Sequence, residues 1–274
     1  MIQMLADAEP RPTPMQIHPG VIDAVKKYDV GMPVIGIPYK GKKLRYALPA
    51  KAPLWRVQTL FTKEPSTIEW LEAIEPGAVL LDVGANVGMY TVFAAVMRDA
   101  RVFAFEPESQ NYALLCRNLV LNNLSDRVTA FCCALSDEAK FSTIYLSEFT
   151  IGGSCHSFDS SVDFKLEDRK SPFVQGCFSA KVDQLVADGL MPVPNHIKLD
   201  VDGFEHKVIA GAAVTLRHPD VRSLIIEINP HLAEHREIIT ILAELGFHYD
   251  PAQVAVAART EGAFEGVGEY VFRR

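Results

Sequence analysis

The sequence lacks a basic run. Lysines and arginines number 27 against 34 aspartates and glutamates, for a net charge of −7. With no track of cations for phosphates, a nucleic-acid polyanion is not expected as the main partner. Cysteine is scarce and unpatterned. Cys116, Cys132, Cys133, Cys155 and Cys177 are odd in number and form no C-x-x-C pair, so a disulfide framework is not encoded and reduced thiols are expected. The first 20 residues hold acids and four prolines but no basic segment followed by an apolar one. They therefore read as loosely ordered chain without a signal peptide, and the expected compartment is the cytoplasm. An uninterrupted membrane-length apolar run is also missing. Ala78 to Met97 comes nearest, but Asp82, Gly84, Asn86 and Gly88 sit inside it. A bilayer would penalise the acid by about 2.5–3.5 kcal/mol, so no span is expected.

What is present is a chain of 274 residues at 49% apolar, enough for one large core. Residues 1–60 read as an N-terminal extension, with a helix over Val21–Tyr28 and a β-hairpin around Tyr39-Lys40-Gly41-Lys42. Residues 61–274 read as one domain. Ser66, with Glu69 three residues later, predicts a capped helix to Ile74. From Val79 apolar runs alternate with helical patterns, the signature of a parallel sheet covered on both faces. Strands are expected at Val79–Val83, Val102–Glu106, Val128–Cys133, His196–Asp200 and Ser223–Ile228. Helices are expected at Gly88–Met97, Asn111–Asn122, Phe204–Ala212 and Leu232–Leu245. Phe247 to Arg274 reads as two further strands, and Ser142 to Lys181 as a long insertion suited to a substrate lid. Cys132 and Cys133 are expected to be a buried strand pair.

The densest signal is Asp82-Val83-Gly84-Ala85-Asn86-Val87-Gly88, an apolar strand ending in an acid and a glycine turn before a helix. Such a turn brings backbone close to a small ligand. A dinucleotide fingerprint counted from Gly84 would need glycine where Asn86 and Met89 stand. A P-loop would need G-K-[ST], which is absent. In an open α/β sheet the ligand lies at the carboxyl ends of the strands. Glu106 ends the second strand and is placed to accept both hydroxyls of a ribose; the alternative is that it caps the next helix. Cys133-Ala134-Leu135-Ser136-Asp137 ends the third strand, where Ala134 and Leu135 would flank an adenine ring.

Lys198, Asp200 and Asp202 share one side as the fourth strand ends, and the fifth delivers Glu227 and Asn229. Two acids at neighbouring strand ends can orient or deprotonate a hydroxyl, or hold a divalent cation such as Mg through oxygen ligands. Asp200 and Glu227 are the catalytic candidates, with His206 and His231 behind them. His231-Leu232-Ala233-Glu234-His235 matches the zinc pattern H-x-x-E-H, but the remaining residues read as sheet and offer no helix for a further ligand. A solvated helical face is the expected account.

With these residues in hand the chain resembles the FkbM family of S-adenosylmethionine (SAM)-dependent methyltransferases. The resemblance is carried by Thr62-Lys63-Glu64-Pro65, Asp82–Gly88, Phe105-Glu106-Pro107, Val182-Asp183-Gln184-Leu185, Ile197–Glu205 and Ile226-Glu227-Ile228-Asn229. Asp202 stands where the family's usual block has glutamate. The resemblance implies a Rossmann-like class I fold, a seven-stranded mostly parallel sheet with an antiparallel last strand. It implies SAM held by Lys63, Glu64, Asp82, Gly84, Ala85, Asn86, Gly88, Glu106 and Pro107, with Asp200 near the sulfonium. The expected chemistry is O-methylation of a hydroxyl on a sugar, glycan or polyketide-type small molecule. A SAM-binding protein without transferase activity, or transfer to an amine or protein side chain, remains open at this point, as does homo-oligomer formation.

Overall fold

The computed structural model describes residues 18–274; the proline-rich segment expected to be loosely ordered lies mostly outside them. The described residues fall into two units, one ending at Pro33 and the other running from Val34 to Arg274. In the first, helix α1 (Pro19–Val30) begins on Pro19, with the His18 ring accepting the Gly20 N–H. In the second, β1 (Val34–Tyr39) and β2 (Lys42–Ala47) form an antiparallel hairpin. Helices α2 (Lys51–Gln58) and α3 (Pro65–Ala73) follow. Ser66 lies inside α3, not at its cap: Pro65 opens the helix, because its missing N–H costs nothing there.

The main sheet holds β3 (Val79–Val83), β4 (Arg101–Phe105) and β5 (Val128–Phe131), with α4 (Met89–Met97) and α5 (Ser109–Leu121) between them. After β6 (Ala134–Leu135), β7 (Lys140–Leu146), β8 (Ser157–Phe158) and β9 (Phe173–Ala180) come α6 (Val182–Ala187), β10 (His196–Leu199) and α7 (Glu205–Gly211). The chain closes with β11 (Ser223–Ile228), α8 (Ala233–Glu244), β12 (His248–Tyr249), α9 (Pro251–Ala257) and β13 (Gly268–Arg273). Seven strands run in the order β12-β13-β11-β10-β3-β4-β5, parallel from β11 to β5, with β13 antiparallel to β11. This is the expected class I arrangement.

Period-two alternation divides the sheet. Leu81, Val83, Phe103, Phe105, Ile197, Leu199, Leu224, Ile226 and Ile228 form one buried cluster with Val208, Ile209, Ile238 and Leu242 of α7 and α8. Each such fully buried side chain contributes about 1.5–3 kcal/mol relative to exposure. The opposite face carries Asp82, Lys198 and Glu227, and in the register Lys198 stands across from Asp82 and Glu227 across from Glu269. One face is thus mainly apolar, and the other carries charge toward the strand ends.

The 142–181 insertion has structure of its own: β7, β8 and β9, with β6, build a second, four-stranded sheet in the order β6-β9-β7-β8. Two expectations need correction. The tail contains helix α9, started by Asp250 accepting the Ala252 N–H at 2.8 Å, between its two strands. Strand β5 stops at Phe131, so Cys132 is exposed and Cys133 half-buried in the turn beyond it. All five cysteines are free thiols. No helix among the described residues is long and apolar enough to cross a membrane, and 78–97 folds as strand, loop and helix.

Candidate active site

The glycine loop is fixed from three sides. Below it Asp82, 1% exposed, accepts the Thr91 hydroxyl and lies 3.9 Å from the Lys198 ammonium. Burial raises its pKa, opposed by Lys198. Asp82 does not line the cleft; it ties β3 to α4 beneath the loop. The Gly84 and Ala85 N–H groups both donate to the Phe105 carbonyl at 3.0 Å. Gly84 has φ +79°, and a Cβ there would stand 1.8 Å from the Asp200 carbonyl oxygen. Only glycine lets the loop lie against the end of β10. Gly88 N-caps α4 and carries no cleft surface. From above, the hairpin reaches in: Tyr46 donates its hydroxyl to the Met89 carbonyl at 3.0 Å.

Asn86 explains its departure from a glycine pattern. It adopts φ +49°, a left-handed conformation that asparagine tolerates better than most residues. Its N–H donates to Glu106 Oε2 at 2.8 Å, and its side-chain amide donates to the Gly153 carbonyl at 2.7 Å. Asn111 donates to the same carbonyl and accepts the Gly152 N–H at 2.7 Å. The insertion is thereby pinned to the glycine loop.

Glu106 is buried, and its other oxygen accepts the Glu108 N–H at 2.9 Å. The helix cap is Glu108, which accepts the Gln110 and Asn111 N–H groups. Glu106 is therefore left facing the cleft, with one N–H on each oxygen and lone pairs to spare. Burial pushes its pKa to about 7 against the two backbone N–H groups.

A cleft of about 400 Å³ opens over these groups. At one end Phe105, Pro107, Cys133, Ala134, Leu135 and Ile144 form an apolar slot beside Glu106. A small side cavity beside Ala85 has charges of both signs, from Arg56, Lys63 and Lys198 against Glu64 and Asp200. Arg56 donates through Nε to the Gly152 carbonyl at 2.9 Å, and Lys63 pairs with Glu64.

Three carboxylates meet at the third part of the cleft. Oxygens of Asp200, Asp202 and Glu227 lie within 4.8 Å of one another. Each already has a partner: Lys198 Nζ is 3.1 Å from Asp200, the Cys155 N–H 2.7 Å from Asp202, and Arg259 Nη2 2.6 Å from Glu227. Burial works against ionised Asp200, but Lys198 and Lys63 outweigh it and hold its pKa below the usual range. Burial and the neighbouring Asp200 push Asp202 up to about 6 and Glu227 well above its usual value, with Arg259 opposing at Glu227. Opposed environments of this kind separate a permanently ionised carboxylate from ones that can exchange a proton.

The sequence reading brings Lys63, Gly84, Asn86, Glu106, Pro107, Ala134, Leu135, Asp200 and Glu227 into this cleft, and Glu64 and Ala85 into the side cavity. It misses Arg56, Asn111, Arg259 and Phe264. Arg259 and Phe264 come from the α9–β13 loop, where no local motif marks them; the Phe264 ring stacks on Phe164 of the insertion at 4.0 Å. His206 and His231 do not line the cleft. The H-x-x-E-H pattern is not a solvated helical face either. His231 precedes α8, while His235 is 2% exposed and points inward.

Comparison with known proteins gives a match to the family described as methyltransferase FkbM domain, over residues 82–249. Hexuronic acid methyltransferase AglP of Haloferax volcanii is 27% identical over 210 residues, covering 74% of this chain and 77% of that protein. The 31-O-demethyl-FK506 methyltransferase FkbM of Streptomyces tacrolimicus is 26% identical over 213 residues, covering 69% and 79%. Among solved structures, M. jannaschii TYW2 in complex with AdoMet aligns with a TM-score of 0.43 at 12% identity, covering 88% of this chain and 86% of that one.

Proposed function

This chain belongs to the FkbM family of SAM-dependent methyltransferases, and on that premise we propose that it methylates a hydroxyl on a sugar, glycan or polyketide-type small molecule. The observation that carries the reading is the carboxylate trio at two neighbouring strand ends, packed against the floor of the glycine loop. The cleft fits the cofactor in three places. Glu106 has free lone pairs for ribose hydroxyls, the apolar slot suits adenine, and the two-signed side cavity suits a zwitterionic amino-acid end. There Arg56 and Lys63 would hold the carboxylate, and Glu64 and Asp200 the ammonium. When bound, SAM supplies a methyl group on a sulfonium, an excellent leaving group.

The protein's own task is alignment and removal of one proton. In our reading Glu227 accepts the acceptor's hydroxyl proton, while ionised Asp200 orients that hydroxyl and favours the positive sulfonium. Incubation with methyl-labelled SAM and a panel of hexoses, uronic acids and hydroxylated macrolides tests this. Label in a base-stable ether supports it; label in an amine or in protein overturns it.

Glu106 gives a pH test. A carboxyl whose folded pKa exceeds its unfolded value stabilises the cofactor-free fold fully below about pH 4.5, and that contribution is lost as pH rises through about 7. Ribose hydroxyls donate to the ionised form, so SAM binding runs the other way. Affinity measured by calorimetry is expected to weaken about tenfold per pH unit below about 7. Glu106→Gln should bind weakly and without this slope. A flat wild-type profile would remove Glu106 from the ribose.

The trio also raises the question of a cation. Because each carboxylate is engaged by a protein donor, we propose that the reaction runs on protein groups alone. Dialysis against chelator is expected to leave turnover within about twofold. Loss of activity restored by magnesium would make the trio a metal site.

A further inference from the structure

We propose that Glu205 and His235 are positioning residues that fix the separation of Asp202 and Glu227. Neither lines the cleft. Glu205 is fully buried at the start of α7, and its two oxygens accept the Val201 N–H at 2.8 Å and the Gly203 N–H at 3.0 Å. These bonds wrap the turn that holds Asp202 at φ +54°. A non-glycine residue adopts that conformation at a cost of about 1–2 kcal/mol, so the turn needs outside support.

His235 supplies the second half. Its Nδ1 accepts the Asn229 N–H at 3.0 Å, which places the ring proton on Nε2. Nε2 lies 3.0 Å from Glu205 Oε2 and 3.1 Å from the Gly203 carbonyl. Asn229 is two residues beyond Glu227. A continuous circuit therefore runs from Glu227 along β11 to Asn229, through His235 to Glu205, and through the turn to Asp202. It joins the exits of β10 and β11, the two strands whose acids must face one hydroxyl.

Stability does not account for this pair. A buried hydrogen-bonded polar pair gives little net stability over an apolar pair of equal volume. What it does give is registry between two loops. The groups around the two acids are Asp200 with Lys198 and Lys63, Arg259 with Glu269, and Cys155; His206 and Glu234 stand near His235. Lys198, Asp200, His206 and Glu234 lie on the elements that the circuit joins, whereas Lys63, Cys155, Arg259 and Glu269 are carried on elements outside it.

The inference rests on the reading that the acceptor hydroxyl meets Glu227 within the cluster that Asp202 shares with it, and its test needs no acceptor. His235→Gln keeps a donor at the Nε2 position, whereas His235→Asn keeps only the Nδ1-like acceptor. Carboxyl-13C NMR titration of Asp202 and Glu227, with chelator present, reads their mutual repulsion. His235→Asn should lower the higher of the two titration midpoints by about one pH unit, and His235→Gln should leave it in place. SAM affinity should stay within twofold in both. Unchanged midpoints in His235→Asn, or equal shifts in both variants, would overturn the proposal. If His235→Asn fails to fold, Glu205→Asp, which keeps the charge but shortens the reach to the turn and to His235, gives the same reading: it should lower the midpoint, and an unchanged midpoint counts against the circuit. Failure of the methyl-transfer reading would show separately, as absence of label from every acceptor in the panel.

Discussion

Glu227→Gln is expected to lower kcat by about 10²–10³ while leaving SAM affinity within twofold. A positioned general base contributes about 10²–10⁴ to a proton-transfer step. Glutamine keeps the shape of glutamate and an oxygen for Arg259 at the 2.6 Å position, so geometry is preserved and only proton-accepting capacity is lost. Removing one of three crowded negative charges also relieves repulsion, so the fold should not weaken. Melting temperature at or above wild type, calorimetric SAM binding and turnover at saturating SAM separate these effects. A variant retaining a third or more of wild-type kcat would take Glu227 out of the proton's path and leave Asp202 as the base.

Gly84→Ala should be the most damaging single-methyl change in the domain. The added Cβ would meet the Asp200 carbonyl oxygen at 1.8 Å, and that atom belongs to backbone that β3 and β10 hold in register. Left-handed φ at an alanine adds its own cost. Together these should remove about 3 kcal/mol or more of stability, or about 6–12 °C of melting temperature for a domain of this size. Any protein that still folds must shift the loop away from Asp200. SAM affinity should then fall more than a hundredfold, because the loop and Asp200 both line the side cavity. Near-normal affinity would mean that the loop's position is not what admits the cofactor.

The sheet was legible because buried parallel strands and their helices leave strong, regular apolar patterns, and the acids past each strand mark the ligand end. The glycine loop, Glu106 and the two acidic clusters followed from those patterns. Residues brought in by tertiary contact were not legible. Arg259 sits in an unremarkable loop after α9, and only the antiparallel return of β13 carries it beside Glu227. Asn111 looks like any polar helix residue until Gly152 is folded onto it. Ser66 failed as a cap because a proline one residue earlier starts the helix first. The buried role of His235 was masked by a motif whose first histidine lies outside the helix.

The two asparagine bonds to Gly153 have an evolutionary consequence. Asn86 belongs to the glycine loop and Asn111 to the helix after Glu106, yet both grip the insertion that lines the cleft. Diversifying that wall to admit a new acceptor is therefore expected to tug on the glycine loop, where we propose the cofactor sits. Grafting residues 147–158 from another family member should change acceptor choice and SAM affinity together, and second-site changes at positions 86 and 111 should recover the latter. In this scaffold, the freedom to explore new acceptors is limited by two side-chain amides.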